Sequence, residues 1–241
     1  MSRKLAREDR VDFDAYNTPP NLALECVRQI LPFIAEGDTI WEPHVGNGAF
    51  ALAFWKFGLP AWLSDINPGA LALCGRTIQD GEIIPSPWGH PNPNYPCIPH
   101  NFLEDQGISK SVPEEVDWII GNPPYEGLEK HLEKAIKSAR NGVAFLIRVG
   151  FLCGQERYEN YWSKAEWQPS DLFFISRRPA FVNICTNRSA GCNKGTSIAY
   201  SENACPNCGG RTKPGTDATD YVFAVWRRGA VGQRINWIKW V

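Results

Sequence analysis

The sequence predicts a mixed α/β domain organised around a parallel sheet. Two observations predict it: short apolar runs alternate with segments of helical periodicity, and a glycine-rich turn joins the first of those runs to the helix that follows. A third, the 43% of hydrophobic residues among 241, makes the chain long and apolar enough to bury a core. The elements follow in order. Ala23, Val27, Ile30, Leu31 and Ile34 recur at helical spacing after Thr18-Pro19, a cap hydroxyl followed by a proline suited to the first turn. Thr39–Trp41 reads as a strand, Ala49–Phe57 as a helix, Ala61–Ser64 as a strand, Pro68–Ile78 as a helix and Val116–Ile120 as a strand. Leu128, Leu132, Ala135, Ile136 and Ala139 share a helix face, and the stop signal Asn141-Gly142 precedes the apolar strand Val143–Ile147.

Two stretches break this rhythm. Pro85 to Pro99 holds six prolines with Trp88, His90 and Tyr95, and reads as a long structured loop. Asn183 to Thr219 is rich in Gly, Asn, Ser, Thr and Cys, has almost nothing apolar to bury, and lies between the strand-like runs Arg178–Val182 and Tyr221–Trp226. The expected organisation is one domain over 1–182 and 220–241, with 183–219 inserted at the tip of the last hairpin. There is no internal repeat and no low-complexity tract.

Charge is unevenly spread. The chain carries −1 overall, but residues 171–241 sum to +6 and residues 1–170 to −7, so a polyanionic partner would meet the C-terminal part; a merely solvated basic face gives the same count. No run approaches the roughly 18 apolar residues of a membrane helix, and the polar start MSRKLAREDR does not resemble a signal peptide, so a cytoplasmic protein is expected.

The run Glu42-Pro43-His44-Val45-Gly46-Asn47-Gly48 ends a strand in a glycine turn, which lets a ligand approach the backbone closely. Nineteen residues beyond Gly46, Asp65 ends the next strand at the spacing where an acid accepts hydrogen bonds from ribose hydroxyls. Tight strand–helix packing with a capping aspartate would leave the same pattern. Asp117–Tyr125 is more specific, because an apolar strand delivers Asn122-Pro123-Pro124-Tyr125 at its carboxyl end. An exocyclic base amine is a poor nucleophile whose lone pair is delocalised into the ring. The Asn122 oxygen and the Pro123 carbonyl can accept its two N–H bonds and aim that lone pair, while consecutive prolines stiffen the turn. Tyr125 offers a face on which an unstacked base can lie.

With these motifs in order, the chain resembles the S-adenosylmethionine-dependent amino-methyltransferases, most closely the phage and bacterial DNA N6-adenine type of restriction-modification systems, in the gamma motif order. Tyr16-Asn17-Thr18-Pro19-Pro20 is similar to the amino-terminal cofactor motif, Glu42–Gly48 to the glycine motif, Ser64-Asp65-Ile66 to the ribose acid, and Asn122–Tyr125 to the catalytic motif. The resemblance implies a Rossmann-like sheet of seven strands ending in an antiparallel one, for which Tyr221–Trp226 is the candidate. It implies a cofactor site of Tyr16, Thr18, Pro19, Glu42, Pro43, His44, Gly46, Gly48, Asp65, Ile66 and Asn122, with Asn101 and Phe102 at the far end, where Phe102 would pack on the cofactor ring. Asn101 stands where the family usually has Asp; an amide still accepts from an adenine amine and donates to a ring nitrogen, without the charge.

Of the eight cysteines, Cys26, Cys74, Cys97 and Cys153 lie in or beside expected core elements as small apolar residues, and His90 and His100 around Cys97 read as polar loop residues rather than a second metal site. Cys185, Cys192, Cys205 and Cys208 all fall in the insertion. Cys205-Pro206-Asn207-Cys208-Gly209-Gly210 has zinc-knuckle spacing, and six residues between Cys185 and Cys192 make the other half looser; tetrahedral zinc, thiols without metal and disulfides are the readings in that order. Arg188, Lys194, Arg211 and Lys213 around them, with Tyr125 and Phe181, are the candidate nucleic-acid contacts.

The sequence therefore leads to a monomeric or dimeric enzyme, with no membrane partner, that methylates adenine N6 in DNA using S-adenosylmethionine and carrying zinc. RNA adenine, cytosine N4 or a protein glutamine amide use the same tetrapeptide. Glutamine enzymes of this resemblance usually carry a helical amino-terminal domain, whereas about one helix precedes the glycine motif here. A catalytically silent nucleic-acid-binding module is the reading from another class. Base reading would fall to the insertion or the proline-rich loop.

Overall fold

A computed structural model describes residues 18–67, 78–79, 82–83, 97–104, 115–185, 195–196, 208, 210–216 and 219–240. The strands are β1 Ile40–Glu42, β2 Ala61–Asp65, β3 Ile78–Gln79, β4 Glu82–Ile83, β5 Cys97–Pro99, β6 Val116–Gly121, β7 Ala139–Arg148, β8 Asp171–Ile175, β9 Ala180–Cys185, β10 Gly195–Thr196, β11 Thr212–Thr216, β12 Tyr221–Arg227 and β13 Arg234–Ile238. The main helices are α1 Pro20–Ile30, α2 Ala49–Lys56 and α3 Leu128–Ser138.

Eight strands form the main sheet in the order β13-β8-β12-β7-β6-β1-β2-β5. All pairings are parallel except those of β12, which runs antiparallel to both β7 and β8. The candidate antiparallel strand therefore lies where it was expected. The sheet has eight strands rather than seven because Arg234–Ile238 adds a parallel edge beside β8.

The central strands are apolar on both faces because both are covered. Trp118, Ile120, Leu146 and Phe223 pack with Leu22, Val27, Phe50 and Phe54 of α1 and α2, while Ile119, Val143, Phe145 and Val222 face Leu128, Leu132 and Ala135 of α3. Strand alternation thus distributes adjacent residues to two separate cores.

Several local readings change. Thr18 does not cap α1: Pro19 precedes the helix, no side chain caps it, and the Ala23 amide bonds the Pro19 carbonyl at 3.1 Å. Asn141-Gly142 does not precede β7 but lies within it, because at Gly142 a Cβ would fall 2.6 Å from the Trp118 ring and 2.7 Å from the Trp226 carbonyl. Only glycine fits beneath that tryptophan. Of the helix expected over Pro68–Ile78, residues 68–77 lie outside the described residues and Ile78 is in a strand paired with β4. Residues 85–96 of the proline-rich loop also lie outside them, but its last three residues form β5, paired with β2.

The late hairpin differs too. β12 pairs with β8, whose Asp171–Ile175 run the sequence reading passed over, whereas β9 leaves the main sheet and forms a separate three-stranded sheet, β10-β9-β11. No helix among the described residues is long and apolar enough to cross a membrane.

Candidate active site

The strand order reverses at β1, whose neighbours β2 and β6 lead away in opposite directions, and the crevice outside the carboxyl ends of such strands is where open α/β sheets hold ligands. Four loops meet there: the glycine turn after β1, Asp65–Asn67 after β2, His100–Leu103 after β5, and Asn122–Tyr125 after β6. They enclose a cavity of about 310 Å³ lined by Thr18, Glu42, Pro43, His44, Gly46, Asp65, Ile66, Asn101, Phe102, Asn122, Pro123, Pro124 and Tyr125, all of them expected from the sequence. Gly48 and Pro19 shape the surrounding backbone instead, and Tyr16 lies outside the described residues.

The turn owes its shape to left-handed backbone at Gly46 and Gly48, with φ of 54° and 78°. It is tied down by the acid itself. The Gly46 amide donates to Asp65 Oδ2 at 2.8 Å and the Asn67 amide to Oδ1 at 2.7 Å, so Asp65 ties the glycine turn to the loop after β2. A carboxylate has about four lone pairs, which leaves acceptor capacity facing the cavity. Burial pushes the Asp65 carboxyl above its ordinary range, partly offset by backbone N–H groups of Gly46, Asn67 and Ile66.

At the loop after β6, Asn122 Nδ2 donates to Thr18 Oγ1 at 3.1 Å and Asn122 Oδ1 accepts the Tyr125 hydroxyl at 2.9 Å. The carboxamide is held at both ends. Thr18 therefore bonds Asn122 rather than capping the helix. The Arg148 guanidinium lies over the Tyr125 ring, 4.5 Å from its centroid, and Arg148 Nε approaches the Tyr221 hydroxyl at 3.4 Å. One face of Tyr125 is thereby occupied.

At the opposite end of the cavity Phe102 is only 2% exposed, and its ring meets Trp41 and His44 edge-on with centroids 5.1 and 5.2 Å away. It is the cavity floor. The apolar surface available to a flat ring comes instead from Ile66 and Leu103, 48% and 38% exposed. Asn101 turns inward on its own loop, with Oδ1 accepting the Leu103 amide at 3.1 Å and Nδ2 donating to Glu104 at 2.6 Å.

Leu103, His131 and, beside the cavity, Arg148 and Tyr221 are among the contributors that escaped the sequence reading. His131 lies on the same face of α3 as Leu128, Leu132 and Ala135 and pairs with His44, so a polar residue on an apolar stripe was the signal. Arg148 follows directly on the apolar run of β7, and Tyr221 begins β12.

The proposed interaction surface is only partly visible. Phe181 is 3% exposed and packs on Tyr221 at 4.8 Å, which makes it a core residue rather than a surface contact. Arg211 is exposed; Arg188 and Lys194 lie outside the described residues, as does the Lys213 side chain in β11. Among the described residues no group of three or more His, Cys, Asp or Glu is placed to hold a metal. Cys192 and Cys205 lie outside those residues, as does the side chain of Cys185.

No protein-family model and no curated protein matches the chain. Solved structures do. The methyltransferase subunit of a type I restriction-modification system from Streptococcus thermophilus superposes with a TM-score of 0.52 at 14% identity, over 89% of this chain and 45% of its own. The modification subunit of a putative type I restriction enzyme from Vibrio vulnificus gives 0.52 at 12% identity, over 98% of this chain and 49% of its own. This chain has the fold of those subunits. It spans about half their length, and at such identity the likeness is one of architecture.

Proposed function

We propose that the protein transfers a methyl group from S-adenosylmethionine to the exocyclic N6 amine of adenine in DNA. The observation that carries this is the Asn122 carboxamide, fixed by Thr18 and Tyr125 at the carboxyl end of β6 on the same cavity as Asp65 and the glycine turn. The donor set suits the cofactor: acceptor capacity on a buried aspartate for ribose hydroxyls, a glycine backbone open to close approach, and exposed apolar side chains at Ile66 and Leu103 for a flat ring.

When bound, the cofactor supplies an electrophilic methyl on a sulfonium. The remaining work falls to the chain. Asn122 Oδ1 and the Pro123 carbonyl accept the two N–H bonds of the amine, drawing its lone pair out of conjugation and toward the methyl. On taking the methyl, the amine held by these two acceptors would give up one of its protons to solvent. Tyr125 gives the base a stacking face on the side opposite Arg148, whose charge also favours a phosphate-bearing substrate.

We also propose zinc on Cys185, Cys192, Cys205 and Cys208. The strand register supports it: Cys185 ends β9, and β10 and β11 both begin at that end, where Gly195 pairs with Ile184 and Thr212 with Cys185, so the segments carrying the other three cysteines enter there. The basic residues around them would then contact phosphates, and the proposed setting is the cytoplasm, as a monomer or homodimer.

Incubation with labelled cofactor and DNA, RNA or protein, followed by digestion to nucleosides or amino acids and mass spectrometry, tests the assignment. N6-methyladenine from DNA is expected. Label found only in RNA, cytosine or glutamine reassigns the acceptor, and none in any acceptor leaves a silent binding module.

A further inference from the structure

His131 reaches from α3 to the glycine turn, where its Nδ1 and the Nε2 of His44 are 2.8 Å apart. A neutral imidazole carries one ring proton, so one of these nitrogens donates and the other accepts. The far side of His44 decides which. Its Nδ1 is buried and has no hydrogen-bond partner, and a buried orphan N–H is harder to tolerate than a buried lone pair. The lone pair therefore belongs on His44 Nδ1 and the proton on Nε2, which donates to His131 Nδ1. With Nδ1 accepting, the single proton of His131 must be on Nε2.

We propose that His131 is a binding residue of the cavity, a neutral imidazole whose Nε2–H is held as a donor to an acceptor atom of the cofactor. This rests on the cofactor reading above and adds a residue and a polarity to it. His131 lines the same cavity as Asp65 and Asn122, and its Nε2 makes no hydrogen bond among the described residues. Its ring is fixed from two sides, stacked on Phe102 at 6.0 Å and 11°, and edge-on to His44 at 4.7 Å.

Neutrality matters because the cofactor is a cation. Burial holds His131 down to about 4, and burial together with the neighbouring His131 holds His44 well below its usual range. The pair can thus donate to a carboxylate, ribose or ring acceptor without setting a positive charge beside the sulfonium, as a lysine there would. Lys134 Nζ, on the same helix, lies over the Phe102 ring, 5.6 Å from its centroid.

Long-range proton–nitrogen spectra of the nitrogen-15-labelled full chain at pH 7, titrated with S-adenosylhomocysteine, read the tautomers directly, with His131→Gln spectra assigning the signals. Both rings should show the Nε2–H tautomer, and the His131 Nε2 signal should move as calorimetry records binding. Glutamine can place an amide N–H near Nε2, whereas asparagine substitutes near Nδ1. His131→Gln should therefore keep product affinity within about three-fold and His131→Asn should weaken it by about ten-fold or more. An Nδ1–H tautomer on His131, an unmoved Nε2 signal at saturation, or equal affinities in the two variants overturns the inference. If the wild-type chain binds neither S-adenosylmethionine nor S-adenosylhomocysteine, the cofactor reading falls and the ligand half of this inference with it, while the apo spectra still decide the tautomers.

Discussion

Asp171 and Asp65 are both buried at strand termini of the same sheet, yet their surroundings drive their carboxyls in opposite directions. At Asp171, fully buried, burial pushes the carboxyl up, but bonds from Arg227, Ser170 and Arg234 at 2.8, 2.7 and 2.6 Å outweigh it and the net shift is downward. Both guanidinium groups also lie over the Phe33 ring, 4.4 and 5.1 Å from its centroid. At Asp65 the described partners are backbone N–H groups, burial prevails and the net shift is upward. Asp171 ties β8, β12 and β13 together with its charge matched inside the protein. Asp65 holds a turn and keeps acceptor capacity for something else. The proposed cofactor site thus lies at the end of the sheet where a buried carboxylate is met by backbone N–H groups and not by cations.

If that contrast is right, substitutions at the two ends should fail in different ways. The largest effect is expected at the proposed catalytic loop, where Asn122→Ala should lower methyl transfer by about 100-fold or more while cofactor affinity stays within a few-fold, since the lost acceptor acts on the incoming amine. Single-turnover transfer and calorimetry on one preparation measure both, and near-normal turnover would remove Asn122 from the catalytic role. Asp171→Ala should do the reverse. Leaving two guanidinium groups without their carboxylate should cost about 2–4 kcal/mol in urea unfolding, below the full value for a buried pair because Arg227 and Arg234 are partly exposed, with cofactor affinity unchanged in the folded fraction.

Asp65→Ala is expected to weaken cofactor binding by roughly 1.5–3 kcal/mol through lost charge-assisted hydrogen bonds. Because burial raises this carboxyl, its protonation as pH falls should begin above the ordinary aspartate range, and wild-type affinity should fall there while the Ala variant shows no such step. Calorimetry across that window checks the sign. The smallest effect belongs to Tyr125→Phe. The hydroxyl donates to Asn122, so its loss should free the carboxamide and lower turnover by about 3–10-fold, one neutral hydrogen bond's worth, while Tyr125→Ala also loses the stacking face and should fall further. Equal losses in the two variants would mean that the hydroxyl alone matters.

Residues adjacent in sequence were read most securely. The glycine turn, the apolar strand ending in Asn-Pro-Pro-Tyr and the periodic faces of α1 and α3 are local patterns, and each occurs in the structure at or near its expected position. Misreadings came where distant contacts outweighed local propensity. Asn141-Gly142 has the chemistry of a stop, but Trp118 needs the space above Gly142 and the strand runs through it. Thr18-Pro19 has the chemistry of a helix cap, but the threonine hydroxyl bonds an asparagine 104 positions away.

By itself the sequence determined which strand ends carry the candidate site residues, because apolar periodicity and turn chemistry act over a few residues and fix where each strand stops. Only the tertiary structure decided what those groups face: that Phe102 forms the floor of the cavity, that Arg148 covers one side of Tyr125, that β13 adds an eighth strand, and that His131 meets His44. The partners in each case come from different elements, and no local pattern records which side chains the folding of a sheet will bring within 3 to 6 Å of one another.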